Sequence, residues 1–346
     1  MNRYGKSAGP LLALKQSFFS ENDYLLARGR HLNELYAQQP LRRNCKNCNT
    51  SLGEADFSKL GVSYALCPCC GHLNGLHEDS ASFCKAVYTD DGGAGYARTY
   101  SAVDRESYLQ RVRDIYRPKA AFLREAIEGL GEDAMALSYV DLGAGSGYFV
   151  TALRDIGISN AFGFEVSATQ VELANHMAKE PILRQHALDE TAVLARTSNA
   201  DVVSLIGVLE HVRQPRDILG ALRANPRLRY LFISVPTFSP CVFFEMVFPT
   251  VMNRQLSGAH THLYTESSLK WMAEEFGMKQ VAAWWFGTDV VDLFRSVAVR
   301  LNQEPATNSM GTHWATMFAP LIDELQLAID KRHLSSEVHL LYRLRS

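Results

Sequence analysis

From Leu137 onward, short apolar segments alternate with longer segments of helical periodicity. The apolar segments are predicted strands: Leu137–Asp141, Ala161–Glu165, Ile182–Ala187, Asp201–Gly207, Leu231–Val235, Gln280–Phe286 and Ser296–Val299. Helices are predicted between them, at Tyr148–Ile156, Ala168–Ala178, Arg216–Ala224 and Glu266–Glu275. Alternation of this kind is typical of a parallel sheet covered by helices on both faces. The sequence therefore predicts an α/β fold built on a doubly wound, seven-stranded sheet.

The segments on either side of this region differ from it in composition. Helical spacing precedes Pro40, and Cys, Asn, Gly and Pro are frequent just after it. We divide the chain into a helical segment at 1–40, a cysteine-rich module at 41–80, a loop and helical connector at 81–130, the alternating domain at 131–300 and a C-terminal helical tail at 301–346. Within the tail, one or two amphipathic helices are predicted over Met317–Arg345.

The balance of charge argues against several classes of partner. The 346 residues carry 35 Lys and Arg against 37 Asp and Glu, a formal net charge of −2. Such a chain has no general attraction to nucleic acid or to an anionic membrane. The apolar stretch Leu231–Met252 is interrupted by prolines and by Glu245, which a membrane helix tolerates badly. No signal peptide is recognised, so we predict a cytoplasmic protein without membrane or nucleic-acid partners.

Four cysteines have the spacing of a zinc site. Cys45 and Cys48 form one C-x2-C pair, Cys67 and Cys70 form a second, and eighteen residues separate the two pairs. Each pair presents two thiolates from one tight turn, and two such turns complete a tetrahedron around Zn²⁺. Four sulfurs close the coordination shell, so the predicted role of the ion is structural. The spacing leaves open whether the module also binds a partner, and whether a neighbouring side chain takes part, Cys69 or His72.

The sequence VDLGAGSGYF, residues 140–149, includes the end of the first predicted strand of the sheet. Asp141 ends that strand, and Gly143, Gly145 and Gly147 follow at alternate positions. Glycines allow positive φ and close approach of the backbone to a ligand, and the next helix directs its amide dipoles at the same place. Glu165, at the end of the second strand, is placed to accept hydrogen bonds from a ribose. These features predict a nucleoside-bearing cofactor at the edge of the sheet.

Two cofactors compete for this loop. The dinucleotide pattern G-x-G-x-x-G/A begins at Gly143 and requires Gly or Ala at position 148, where this chain has Tyr148. A dinucleotide pyrophosphate also has no use for the carboxylate of Asp141. S-adenosylmethionine (SAM) does have a use for it, because its ammonium group pairs with a carboxylate and it carries no phosphate. The residues therefore favour SAM over NAD.

Three successive motifs resemble those of class I SAM-dependent methyltransferases: DLGAGSG, FEVS and ADVVSLIGVLEHVRQP. Together with the cysteine pairs, they make the chain similar to zinc-ribbon methyltransferases of sugar, surface-polysaccharide and natural-product pathways. The resemblance implies a Rossmann-like sheet and SAM as the cofactor. The sugar C-methyltransferases of this group carry a long additional C-terminal domain. This chain ends too early for one, so we expect methylation of oxygen or nitrogen.

The resemblance also implies roles for individual residues. Asp141, with the loop glycines and Ala144, would hold the methionine end of SAM. Glu165 would bind the ribose hydroxyls. The expected neighbours of the adenine are Val166 and Asp189, and those of the sulfonium are Ile206 and Gly207.

Methyl transfer requires an aligned acceptor and, for a hydroxyl, removal of its proton. His211, in the motif VLEHV beyond the fourth strand, is the first candidate for the base, because an unperturbed imidazole has a pKa of about 6.5. The alternative is that Glu210 and His211 only brace the loop.

The segment GAHTHLY is predicted to form a loop over the pocket. It places His262 and Tyr264 as further catalytic candidates, with substrate contact or plain packing as alternatives. Its two histidines, His260 and His262, have metal-like spacing, but no nearby acid in the sequence completes a ligand set. Two upstream aromatic residues are candidates for covering the pocket, Tyr96 and Tyr100.

The sequence therefore predicts a methyltransferase that acts on a small polar metabolite, a sugar or nucleotide sugar. One alternative is an RNA or protein methyltransferase that uses the zinc ribbon for recognition. Another is a cofactor-binding module without catalysis. The sequence leaves the acceptor molecule and the oligomeric state open.

Overall fold

Two sheets organise the protein, in a computed structural model that describes residues 1–14, 17–88, 104–256 and 260–344. The strands of the described residues are β1 (Asn2–Tyr4), β2 (Phe57–Lys59), β3 (Val62–Leu66), β4 (Leu73–Gly75), β5 (Tyr139–Leu142), β6 (Ala161–Glu165), β7 (Leu183–Gln185), β8 (Val202–Ile206), β9 (Tyr230–Pro236), β10 (His262–Leu263), β11 (Lys279–Phe286) and β12 (Glu337–Arg343). The larger sheet has the order β1-β11-β12-β9-β8-β5-β6-β7, and the smaller has the order β10-β4-β3-β2.

The helices of the larger sheet lie mostly between its strands. In the described part of the chain, the α-helices are α1 (Gly9–Leu14), α2 (Ser17–Ser20), α3 (Asn22–Ala37), α4 (Ala81–Tyr88), α5 (Arg105–Arg111), α6 (Arg117–Glu128), α7 (Tyr148–Asp155), α8 (Ala168–Ala178), α9 (Thr191–Thr197), α10 (Pro215–Ala224), α11 (Pro240–Val247), α12 (Glu266–Glu275), α13 (Asp289–Gln303), α14 (Gly311–Phe318) and α15 (Ile322–Asp330). A π-helical turn over Val112–Tyr116 joins α5 to α6.

The predicted α/β architecture is confirmed. Strands β5 to β9 run parallel to one another, and helices cover both faces of the sheet. On one face, Phe122 of α6 and Phe149 of α7 pack against Phe232 of β9. The other face has a separate core that includes Leu219 of α10 and Met272 of α12. The loops that follow the carboxyl ends of these parallel strands therefore lie together at one end of the sheet, which is where ligands bind in such folds.

The predicted strand at Ser296–Val299 is wrong, because these residues lie within α13. Val290, Val291 and Phe294 have helical spacing, and their side chains are buried against residues of α14 and α15. The apolar residues of this segment therefore form one face of a helix, because the neighbouring helices cover that face.

The sequence also assigns the last strand of the sheet to a helical tail. In the structure, Glu337–Arg343 is β12, which lies antiparallel between β9 and β11. The larger sheet has eight strands among the described residues rather than seven, because Asn2–Tyr4 adds an edge strand parallel to β11. The region at 301–346, predicted as a helical tail, thus supplies a central strand of the sheet.

The smaller sheet belongs to the cysteine-rich module but is completed from elsewhere in the chain. Strand β10 pairs antiparallel with β4, which places His262 opposite Asn74. The boundary of the module at residue 80 therefore does not separate two independent sheets. None of the helices in the described part of the chain combines the length and apolar character that a bilayer crossing requires.

Candidate active site

A cavity of about 940 Å³ lies at the carboxyl ends of the parallel strands. This is where ligands bind in doubly wound sheets, and its volume is near the upper end of the roughly 300–1,000 Å³ of ligand pockets. The structure brings most of the predicted cofactor residues to its wall: Asp141, Gly143, Ala144, Gly145, Glu165, Val166, Asp189, Ile206 and Gly207. Gly147 is not among its lining residues.

The three loop glycines all have positive φ, but they serve different contacts. A Cβ on Gly143 would lie 2.8 Å from Val208, whereas one on Gly145 would meet only the side-chain oxygen of Gln170, at 3.2 Å. Gly147 has φ +72°, and a Cβ there would lie 2.8 Å from Cβ of Ala174 in α8. The glycine at position 147 is therefore required by the close packing of α8 and not by the close approach of a ligand.

Asp141 is a buried carboxyl group on the cavity wall, 2% exposed. Its Oδ1 accepts a hydrogen bond of 2.6 Å from the hydroxyl of Ser204. Burial raises the pKa of Asp141 to about 7, and the nearby carboxyl group of Glu165 adds to the increase, against the hydrogen bond from Ser204. A cation bound here favours the charged form of Asp141, so the site suits an ammonium group.

Glu165 holds the glycine loop through its carboxylate. Its Oε2 accepts a hydrogen bond of 2.8 Å from the amide of Gly145, and its Oε1 accepts bonds of 2.8 and 2.9 Å from the amides of Val166 and Ser167. Burial raises the pKa of Glu165, while these amides act in the opposite direction. The carboxylate therefore shapes the loop from the end of β6, and it lines the cavity where a ribose is expected.

His211 lines the cavity just beyond β8, beside a second histidine and a buried acid. Its Nδ1 lies 2.9 Å from the hydroxyl of Tyr88, and its Nε2 lies 3.9 Å from Oε1 of Glu210. The ring centroids of His211 and His260 are 4.9 Å apart. Glu210 is 3% exposed, and burial raises its pKa to about 8. The same cavity thus joins the glycine loop at 143–147, which we call the SAM-type loop, to a group of polar side chains.

Comparison with protein families decides the assignment. A family model described as a methyltransferase domain matches residues 108–283, half of the chain. The chain belongs to this methyltransferase family. The strand order and the glycine loop place it in class I, and SAM is its cofactor. The predictions of the family, of the enzyme class and of SAM are confirmed.

Individual relatives of this methyltransferase are distant. The mitochondrial ubiquinone biosynthesis O-methyltransferase of Candida albicans is 27% identical over 155 residues, which are 42% of this chain and 47% of the relative. The chain thus spans about half the length of the curated relative it matches.

Two solved structures are similar at lower identity. Magnesium protoporphyrin IX methyltransferase from Synechocystis PCC 6803 is 15% identical, with 59% of this chain and 92% of the other covered and a TM-score of 0.43. Geranyl diphosphate methyltransferase is 11% identical, with 71% and 93% covered and a TM-score of 0.39. Neither likeness says anything about the acceptor of this methyltransferase.

The four predicted cysteine ligands form one cluster. The sulfur atoms of Cys45, Cys48, Cys67 and Cys70 all lie within 4.8 Å of one another. A tetrahedral Zn²⁺ with bonds of about 2.3 Å separates its sulfurs by roughly 3.8 Å, and the Cys45–Cys70 separation is 3.7 Å. The set therefore fits a structural zinc ion. Neither alternative belongs to the cluster: Cys69 is exposed, and His72 is buried with its Nε2 2.8 Å from Nδ1 of His262.

Amide donors complete the surroundings of the sulfurs. Asn47 Nδ2 lies 3.6 Å from the sulfur of Cys70, and Asn74 Nδ2 lies 3.5 Å from that of Cys45. Such donors stabilise thiolates and orient them toward a metal.

The zinc ribbon is attached to the methyltransferase domain through its cysteine-bearing turns. Asn47 donates a bond of 2.9 Å to the carbonyl of Ser268 and accepts one of 2.8 Å from Arg216 at its own carbonyl. Lys46 Nζ donates a bond of 2.9 Å to the carbonyl of Val212, the residue after His211. The ribbon thus supports the loop that carries His211.

Two of the predicted catalytic residues lie away from the cavity. His262 and Tyr264 are fully buried and are not among the cavity-lining residues. His262 Nδ1 lies 2.8 Å from Nε2 of His72, a contact between β10 and the ribbon. Strand pairing with β4 therefore directs the side chain of His262 toward the ribbon and away from the cavity. Tyr96 and Tyr100 lie outside the described residues.

The cavity wall also carries charged residues that were not predicted from the sequence. Glu337 accepts hydrogen bonds of 3.2 Å from Lys119 and 2.9 Å from Ser234. Burial alone would raise the pKa of Glu337, but Lys119 and the other nearby cations lower it to about 2. Burial and Lys119 lower the pKa of Lys6, also on the wall, to about 8. The three charged residues, Lys6, Lys119 and Glu337, come from distant parts of the chain, so no local sequence motif could have predicted that they meet.

Proposed function

We infer that this methyltransferase transfers the methyl group of SAM to an oxygen or nitrogen atom of a small polar metabolite, a sugar or nucleotide sugar. One observation carries the proposal: a single cavity joins the SAM-type loop to a polar end. That end is lined by imidazoles, carboxylates and ammonium groups, including His211, His260, Glu337, Lys119 and Lys6. A sugar presents many hydroxyls, and each of them needs a partner when it is buried.

The roles of the residues follow from their positions. Asp141 binds the ammonium group of SAM, and Glu165 receives the ribose hydroxyls beside the loop that it holds. Val166 and Asp189 line the cavity and are our candidates for contact with the adenine, while Ile206 and Gly207 are those for contact with the sulfonium. His211 stands beyond this end and is the candidate for handling the proton of an acceptor hydroxyl.

Oxygen is the favoured acceptor atom. The relative from Candida albicans is by name an O-methyltransferase, and a group of histidines with a buried acid suits removal of a hydroxyl proton. The alternative of RNA or protein recognition by the ribbon has less support, because the turns that carry Cys45 and Cys70 contact α10 and α12 of the same chain.

The test uses labelled SAM and a panel of sugars and nucleotide sugars. We expect methyl transfer to at least one of them, and His211→Ala should lower kcat by about 10²–10⁴-fold with SAM affinity kept. His31→Ala is the matched control, because His31 is an exposed histidine of α3. If SAM binds but no sugar accepts the methyl group, the sugar assignment is lost.

A further inference from the structure

Glu210, His211 and His260 form a compact group in the acceptor part of the cavity. One carboxylate oxygen and one ring nitrogen from each histidine all lie within 4.8 Å of one another. All three residues line the cavity that holds the SAM-type loop. Glu210 and His211 follow β8, while His260 comes from the segment before β10. Two separate segments therefore converge on one point.

The histidine rings are held in an orientation that suits a metal. His260 Nδ1 lies 3.1 Å from the carbonyl oxygen of Gln255. Because a carbonyl only accepts, Nδ1 carries the proton and Nε2 carries the lone pair. In metal-binding histidines, the N–H of the second ring nitrogen commonly donates a hydrogen bond to such a partner. For His211, the Tyr88 hydroxyl at 2.9 Å from Nδ1 can serve in the same way.

Glu210 adds an independent indication of a ligand. Its carboxyl group is buried, 3% exposed, and Oε2 has no hydrogen-bond partner among the described residues. A buried carboxylate without a partner is costly unless a cation or a proton neutralises it. The side chain of Glu210 is part of the cavity wall, and its other oxygen, Oε1, lies 3.9 Å from Nε2 of His211, so this carboxylate is close enough to share a cation with the imidazole.

We propose that Glu210, His211 and His260 bind one divalent transition-metal ion, and that this ion holds two adjacent oxygens of the acceptor. Two imidazoles and one carboxylate suit Zn²⁺, Mn²⁺ or Fe²⁺, and three protein ligands leave positions for other molecules. Tetrahedral bonds of about 2.0–2.2 Å separate ligand atoms by roughly 3.3–3.6 Å. The 3.9 Å between Oε1 of Glu210 and Nε2 of His211 needs only a small closure.

The acceptor class rests on the proposed function and makes it more specific. An acceptor with vicinal hydroxyls can bind the ion through both oxygens, and the ion lowers the pKa of the hydroxyl that reacts. That hydroxyl loses its proton to solvent, and its oxygen then forms the new bond to the methyl carbon. The bond from this carbon to sulfur breaks, its electron pair stays on sulfur, and the sulfonium becomes a neutral thioether. His211 then acts as a ligand rather than as a free base.

The test measures binding of Mn²⁺ to the full chain with zinc in its ribbon. Mn²⁺ prefers nitrogen and oxygen ligands to thiolates, so it reports this site and not the cysteine cluster. Electron paramagnetic resonance of free Mn²⁺ should show one ion bound per chain. Glu210→Gln and His260→Ala should each raise the Kd at least tenfold, whereas Asp217→Asn, at an exposed carboxylate on the same cavity wall, should leave it unchanged.

The outcomes separate the metal site from the proposed function. SAM titration of every variant checks that the fold and the cofactor end are intact. Absence of saturable Mn²⁺ binding, or a Kd that neither substitution changes, overturns the metal site even if a sugar is methylated. Binding that depends on Glu210 and His260 supports the site even if no sugar is methylated. Preference for acceptors with vicinal hydroxyls, lost in both variants, supports the acceptor class, and equal use of acceptors without them overturns it.

Discussion

Lowering the pH should weaken SAM binding, because the charge of Asp141 is partly lost near neutrality. Burial raises the pKa of this carboxyl group to about 7 in the free protein. SAM carries an ammonium group, which prefers the ionised carboxylate, so affinity must fall as Asp141 takes up a proton. The direction is fixed by the sign of the shift: a carboxyl group of ordinary pKa, about 3.9, would stay charged throughout this range.

The size of the effect follows from the populations. With a pKa of about 7, about 9% of Asp141 is ionised at about pH 6.0 and about 60% at about pH 7.2. An α-amino group of pKa about 7.7–8.0 stays largely protonated over this interval. The product of the two populations predicts an affinity about fivefold weaker at the lower pH, or about 1 kcal/mol.

Isothermal titration of SAM into the protein at the two pH values measures this difference. Asp141→Asn removes the titrating group, so its Kd should be nearly independent of pH. Loss of one partner of a buried charge pair should weaken SAM binding by about 2–5 kcal/mol in this variant. A wild-type Kd that is the same at both pH values, or an Asn variant that binds SAM as tightly as the wild type, would refute the assignment of Asp141 to the ammonium group.

Three further predictions concern stability. Cys48→Ser should release the zinc ion and lower the thermal midpoint, measured by metal analysis and calorimetry, and retention of one zinc ion per chain would contradict the four-sulfur site. Gly147→Ala should lower the free energy of unfolding by about 1–3 kcal/mol, because its Cβ would lie 2.8 Å from Ala174 at a positive φ. The control is Gly29→Ala, which has open space inside α3 and should raise the free energy of unfolding by about 0.5–1 kcal/mol. Urea titrations measure both differences. Glu245→Gln should cost about 3–5 kcal/mol, because it leaves the buried ammonium group of Lys59 without its charge partner, whereas Lys270→Met, in an exposed pair with Glu274, should change stability by less than about 1 kcal/mol.

Much of the fold could be predicted because its signals are local. The parallel strands β5 to β9 and the intervening helices have apolar periodicities that are visible within each segment, and the spacing of Cys45, Cys48, Cys67 and Cys70 is itself a geometric pattern. Strand β12 could not be predicted in this way. It contains Glu337 and His339 among apolar residues, so it resembles an amphipathic helix until its two neighbours bury it on both sides.

The candidate site likewise has one part that local sequence signals indicate and another part that they do not. The cofactor end follows one strand, one loop and the end of the next strand, and the motif DLGAGSG with Glu165 indicates it directly. At the acceptor end, the motif VLEHV indicates only His211 and Glu210, because Glu337, Lys119 and His260 meet them only after the sheet has formed. The segment GAHTHLY illustrates the difficulty: its two histidines have metal-like spacing, yet His260 lines the cavity and His262 contacts the ribbon.

The central position of β12 has a consequence for synthesis of the protein on the ribosome. Until residues 337–343 have emerged, β9 and β11 cannot be joined, and each exposes an unpaired edge. Such edges invite pairing with other nascent chains, and incomplete domains are prone to misassembly. A stalled translation product that lacks these seven residues should therefore be a substrate for chaperones and proteases rather than a partly active enzyme.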